Sequence, residues 1–463
     1  MGTLIKKGTI LTAIDEYVGD IWCEDGLIVA VGGDLSGRAG AGDTVIDASG
    51  QFVFPGGIDP HTHFELPFMG TISADDFENG SASALAGGTT TIIDFAIPAI
   101  GGSLFDALAA WHDKAAKAPA DYAFHMALTD PSEQVLAEIP QIVAKGVTSF
   151  KAFMAYKGAI GVDDEALIAF MQAVSKSGGL LWLHAENGDA IVERQKRFIA
   201  EGKTGPEWHE PSRPSILEGE AVRRALTLAE LYEAPIGFVH MSGRDAYQAY
   251  AEARVRGQKA WAETCPQYLL LDDSVYQKPD FEAATFVMSP PIRPAGHSEW
   301  LWKGLSNGLI HTLGTDHCPF RLADQKIMGK DNFTKIPNGG PGVEHRMELL
   351  WTYGVGGGHI SRQRFVELTS TNAAKIYGMY PRKGAITPGA DADLTILDPA
   401  GTRTLSAASH RSNCDRSLFE GFDIRGVVSH VVANGRLQFV DGDLRVERGG
   451  GRFVARAPFD PLT

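Results

Sequence analysis

The sequence predicts an α/β protein, a TIM (β/α)8 barrel that carries a small β-sandwich domain assembled from the two chain ends. Three observations carry this expectation. Eight apolar, strand-like runs alternate with helix-length amphipathic segments through the middle of the chain, which is the signature of a parallel α/β fold. Both ends instead show short alternating segments broken by tight-turn dipeptides. Residue types that bind metals recur at the ends of several of the eight runs, where a barrel gathers its active-site face.

Residues 1 to about 55 contain DIWCEDGLIVAVG, in which Asp25-Gly26 fits a two-residue hairpin turn. The eight runs follow at 52–63, 89–95, 122–129, 148–154, 180–186, 236–241, 259–265 and 309–317. Between the fourth and fifth, DDEALIAFMQAVSKSGG opens with aspartates suited to an N-cap and closes on Gly178-Gly179, as a helix should. From about 385 onward, DADLTILDP, VVSHVVANGRLQFV and DLRVERGG read as strands, with Asn434-Gly435 and Asp441-Gly442 as turns. Neither end has enough strands to close its own core. Residues 1–55 and 385–463 are therefore expected to form one β-sandwich domain, with the metal-dependent barrel, residues 56–384, inserted between them.

Length and composition agree with this. A barrel takes roughly 250 residues, and 463 residues leave room for a companion. With 44% hydrophobic and 21% charged residues and no low-complexity tract or internal repeat, the chain can bury a sizeable core. Its formal net charge of -15, with Lys and Arg scattered, argues against nucleic acid as a partner. No apolar run approaches the roughly 20 residues of a membrane span, and the opening MGTLIKKGTI is too weakly apolar for a signal peptide. Cys23, Cys265, Cys318 and Cys414 lie far apart and form no C-x-x-C pair, so a reducing, cytoplasmic location is expected.

His61 and His63 end the first run, Lys151 sits late in the fourth, and His184, His240 and Asp316 end the fifth, sixth and eighth. Alternate residues of a strand point the same way, so His61-x-His63 can reach one ion. A lone strand histidine is usually a satisfied core residue. Six such groups at the same ends of five strands are better explained by a metal, because an unpaired buried imidazole is costly. Imidazole with carboxylate suits Zn²⁺, Mn²⁺ or a similar ion, and two ions about 3.5 to 4 Å apart would need a bridging anion. Lys151 would repel cations as an ammonium, yet as a carbamate formed with CO₂ it becomes a two-oxygen bridge. A Schiff-base lysine is the competing reading, but that chemistry has no use for four converging imidazoles. His112, His125, His209, His297 and His359 are read as structural or surface residues.

The segments GGIDPHTHFELPFMGT, FKAFMAYKG, HAENGD, TDHCPF and KIPNGGPGVE resemble the dihydropyrimidinase and D-hydantoinase family of the amidohydrolase superfamily. The resemblance runs almost the whole length and includes PRKGAITPGADADLTILDP. H-x-H and the terminal Asp are generic to many amidohydrolases, whereas KAFMAYKG and IPNGGPG are more specific. The resemblance implies hydrolysis of a small cyclic amide, a 5,6-dihydropyrimidine or a 5-substituted hydantoin, to an N-carbamoyl amino acid. It further implies two divalent metal ions per subunit, Zn²⁺ first with Mn²⁺ or Co²⁺ as alternatives, and a homotetramer. By the same resemblance His61, His63 and Asp316 bind one metal, His184 and His240 bind the other, and Lys151, modified to N6-carboxylysine, bridges both. Tyr156 would hydrogen-bond the carbonyl under attack, Ser289 and Asn338 would hold the amide edge, and Asp316 would carry the proton. Phe64, Leu66, Phe68, Met69 and Phe153 are expected to form an apolar wall for the ring substituent, unless they only anchor the loop.

Allantoinase and dihydroorotase relatives use similar metals. Dihydroorotases typically carry an Arg two residues after H-x-H, where this chain has Phe64-Glu65, so an uncharged substituent is expected. The family also includes non-catalytic scaffold proteins that lack the ligands. Here the ligand set is complete.

Overall fold

The computed structural model describes residues 2–460; Met1 and residues 461–463, parts of the expected terminal domain, lie outside the described residues. Eight parallel strands form the centre: β1 Gly57–Thr62, β2 Thr89–Ala96, β3 Asp121–Ala127, β4 Ser149–Phe153, β5 Leu180–His184, β6 Ile236–Phe238, β7 Ala260–Thr264 and β8 Thr312–Leu313. Each pairs with its sequence neighbours, giving the order β8-β7-β6-β5-β4-β3-β2-β1. The ring closes just past the last strand. Thr62 bridges His317 in parallel register, and the His63 amide donates to the His317 carbonyl at 2.9 Å.

Local chemistry explains the helices between these strands. Asp163 accepts from the Ala166 amide and starts the helix Asp164–Lys176, and Gly178, at φ +72°, ends it. The expected first run breaks in two at Gly56, where any side chain would collide with Thr90. Its first half, Phe52–Pro55, belongs to a different sheet, and only the second half enters the barrel.

That other sheet has nine strands, drawn from residues 3–55 and 394–444. The two chain ends meet where Phe52–Pro55 pairs antiparallel with Leu394–Leu397. A register shift between Ile5 and Gly8 lets one strand pair first with Thr44–Asp47 and then with Phe52–Val53. The sheet forks there, and Ile5, Ile10, Ile21, Ile46, Leu394 and Ile396 pack into one core. Asp25-Gly26, Asn434-Gly435 and Asp441-Gly442 all have positive φ at both residues, as type I′ hairpin turns require.

Beyond Leu444 the chain leaves the sheet and runs under the N-terminal end of the barrel. Arg456 donates to Ser149 Oγ at 2.8 Å and to the Phe124 carbonyl, and Val454 joins Trp182 and Tyr377 in a basal apolar cluster. We propose the division into a terminal unit, 1–55 and 385–463, and a barrel unit, 56–384, with this tail as the strap between them.

Candidate active site

The C-terminal ends of the strands bring the predicted ligands to one pocket. It is lined by His61, His63, Lys151, His184, His240 and Asp316, together with Phe153, Tyr156, Ser289 and Asn338. His61 and His63 leave β1 on the same side, and both Nε2 atoms face Asp316 Oδ1, at 3.2 and 3.1 Å. Across the pocket, His184 Nδ1 lies 3.0 Å from His240 Nε2. Two imidazole nitrogens facing each other share either a proton or a cation. His61, His240 and Asp316 each offer a ligand atom, and these atoms lie within 4.8 Å of one another. The donor set and its spacing thus fit divalent metal.

Carboxylates orient two of the four rings. His61 Nδ1 is 2.7 Å from Glu263 Oε1, and His184 Nε2 is 2.6 Å from Glu186 Oε2. Each contact assigns the proton to the outer nitrogen and turns the other nitrogen's lone pair inward, the usual arrangement behind metal-bound histidines. Neither glutamate was singled out from sequence. Glu263 had a visible signal, a carboxylate inside the otherwise apolar strand AWAET.

Electrostatics divides the groups. Burial pushes His63 down to about 4 and lowers His184 and, further, His240. Burial also opposes charge on His61, but Asp316 and Glu263 outweigh it and hold the imidazole up to about 9. Burial would raise Asp316, yet His61, through charge and hydrogen bonding, keeps its carboxyl well below the usual range. In this arrangement the proton on His61 stands in for the cation's charge.

Lys151 is 1% exposed and its Nζ sits 5.1 Å from the ring centres of both Phe95 and Phe153. Among the described residues it has no carboxylate within 4.0 Å and no hydrogen bond. Burial lowers it to about 7, against the pull of Asp316 and Glu263. An amine that is neutral near physiological pH is the form that reacts with CO₂.

Three site residues adopt left-handed backbone: Tyr156 at φ 58°, His240 at 38° and Asp316 at 55°. Such strain persists where the surroundings over-determine it, and it aims these side chains over the barrel mouth. Burial raises the Tyr156 phenol, although Arg213 and a hydrogen bond with Ser289 work the other way, so it remains a neutral donor. Asn338 Nδ2 donates to Ser289 Oγ at 2.9 Å, fixing the facing wall.

The apolar wall needs one correction. Leu66, Phe68 and Phe153 line the pocket, joined by Ile97, Ile160, Cys318 and Gly339, which sequence reading missed. Phe64 does not line it. It is fully buried behind the first loop, edge-on to Phe77 and His317 and tight against Gly80. Asp94 explains why: its carboxylate accepts from Thr62 Oγ1 and the Phe64 amide, pinning the chain as it leaves β1 so that Phe64 turns into the core. Met69 also lies outside the pocket lining. Of the histidines read as structural, His125 bonds the Pro60 carbonyl and Ser149, and His209 bonds the Met288 carbonyl; neither faces the pocket.

The amidohydrolase family model matches residues 52–437. A D-hydantoinase from Geobacillus stearothermophilus is 45% identical over 464 residues, spanning 100% of this chain and 98% of that protein. A dihydropyrimidinase from Arabidopsis thaliana is 45% identical over 461 residues, 99% of this chain and 86% of its own length. The crystal structure of a dihydropyrimidinase from Brevibacillus agri superposes with a TM-score of 0.97 at 44% identity, covering 99% of this chain and 100% of that one.

Proposed function

The chain belongs to the amidohydrolase family, in its dihydropyrimidinase and D-hydantoinase branch, and we propose that its barrel mouth hydrolyses uncharged cyclic amides with the help of two divalent cations. The observation that carries this is the convergence of four imidazoles, one ionised carboxylate and one unpaired lysine beside an apolar wall. His61, His63 and Asp316 would hold one cation, His184 and His240 the other, and a carboxylated Lys151 would bridge them. When bound, the cations would supply Lewis acidity and bring the ionisation of water toward neutral pH.

The chain's own groups do the rest. Tyr156 donates its O–H to the ring carbonyl oxygen as negative charge builds there, an effect of several kcal/mol where water is excluded. Ser289 and Asn338 present backbone groups to the amide edge. Asp316, held ionised, accepts a proton from the attacking water and passes it to the leaving ring nitrogen. One C–O bond forms, the ring C–N bond breaks, and an N-carbamoyl amino acid results. No arginine lines the pocket, and its one lysine, Lys151, sits among the metal-binding side chains. Glu65, where dihydroorotases typically place an Arg, pairs with Lys117 at 3.0 Å, so nothing there recognises a substrate carboxylate.

Zn²⁺ as the metal and a homotetramer rest on the sequence resemblance, a cytoplasmic location on the four free, buried cysteines. Among the described residues no helix is long and apolar enough to cross a membrane. The test is a panel of dihydrouracil, dihydrothymine, hydantoin and a phenyl-substituted hydantoin, run with metal analysis. Turnover of at least one, lost on chelation and restored by Zn²⁺, is expected. No turnover of any by protein holding two metals per chain would refute the reading.

A further inference from the structure

We infer that the buried Glu186–Arg213 pair is a positioning unit that ties a metal-binding imidazole to the catalytic phenol; the inference rests on the function proposed above. Glu186 Oε2 lies 2.6 Å from His184 Nε2, which leaves His184 Nδ1 facing His240. Arg213 Nε donates to Glu186 Oε1 at 3.1 Å, and its Nη2 donates to Oε2 of the same carboxylate. The fork engages both oxygens of a fully buried carboxylate. Arg213 Cζ also lies over the Tyr156 ring, 5.8 Å from its centre. One arginine therefore touches both the support of His184 and the ring that carries the oxyanion donor.

The connection continues to the other ligand of that pair. The Arg213 carbonyl accepts from Arg293 Nη1, and Arg293 Nη2 donates to Glu218 Oε2 at 3.0 Å. Glu218 Oε1 accepts from the Ser242 amide at 2.9 Å, two residues past His240. Glu186, Arg213, Arg293 and Glu218 are all buried, Glu210 also lies 3.8 Å from Arg293 Nη1, and the network links the end of β5 to the end of β6. A buried ion pair serving stability alone could be exchanged for apolar residues without loss. A frame that sets ring orientation could not.

The experiment uses the full chain loaded with Zn²⁺ or Co²⁺. Arg213→Lys keeps the charge but loses the fork and the flat face over Tyr156; kcat should fall about 10–100-fold with KM and melting temperature little changed. In a Tyr156→Phe background the same substitution should cost several-fold less, since the share of its effect that passes through the phenol is already lost. Glu186→Gln should weaken metal retention about 10–100-fold and shift the Co²⁺ absorption bands; Glu186→Asp serves if the glutamine variant does not fold. Losses that multiply in the double variant, or unchanged metal retention and Co²⁺ spectrum in the Glu186 variants, would overturn the inference. Wild-type protein that turns over no cyclic amide would instead overturn the functional reading.

Discussion

Two buried lysines sit at opposite ends of the barrel, and their surroundings could hardly differ more. Lys383, at the N-terminal end, lies 2.6 Å from Asp121 and 3.0 Å from Asp391, and Asp393 is also in contact. Burial opposes its charge, but the three carboxylates win and raise its pKa. Lys151, at the C-terminal end, is as deeply buried and has no such partner, so burial wins and its amine falls to about 7. The first lysine is a finished structural joint between barrel and terminal sheet. The second is chemically incomplete: no carboxylate matches it, and the imidazoles and carboxylate around it suit a cation. A buried charge that is fully matched holds a fold together, whereas one left unmatched marks where a ligand or modification belongs.

Substitutions at the two ends should therefore separate activity from stability. Asp316→Asn, at the upper end, removes the proton carrier and a metal ligand; turnover should fall about 10²–10⁴-fold while the melting temperature stays near the parent's. A fully metallated variant at the parent rate would remove Asp316 from the mechanism. Lys383→Met, at the lower end, leaves three carboxylates buried against one another, and chemical denaturation should show a loss of about 3–5 kcal/mol with turnover per folded molecule unchanged. Unchanged stability there would break the comparison.

A smaller effect concerns the wall. Truncating Leu66 or Phe68 to Ala should raise the kcat/KM ratio of bulky over unsubstituted substrates by about tenfold, because clash is relieved only for the bulky ones. Equal scaling of all substrates would make both residues loop anchors. Smallest is a pH effect in the metal-free protein. Burial lowers the Lys151 amine to about 7 from the usual 10.5, so between these values the unfolded chain binds more protons and stability rises with pH. Melting temperature compared at pH 7 and pH 9 should therefore rise more in the wild type than in Lys151→Met. An identical rise in both would show that Lys151 stays charged or is solvated.

Much of this was readable in the sequence because it depends on local pattern. Strand-end position places His61, His63, His184, His240 and Asp316 on one face without knowledge of side-chain packing. The turn dipeptides likewise fix their own geometry. Phe64 was misplaced because the outward direction of the strand ends at His63, where Asp94, from a neighbouring strand, redirects the backbone. Glu186 and Arg213 escaped notice for a related reason. They are 27 residues apart, with Arg213 in an irregular stretch before the helix Ser215–Leu231, and only the fold brings them together.

The most direct test is of Lys151 itself. Protein stripped of metal, then reconstituted with Zn²⁺ and ¹³C-bicarbonate, should show by ¹³C NMR one carbamate resonance per chain alongside two bound metals. The resonance, the second metal and turnover should all be missing in Lys151→Ala, with turnover partly restored by a short carboxylic acid. Two tightly bound metals and full turnover with no carbamate signal, or a Lys151→Ala variant that keeps both, would contradict the account.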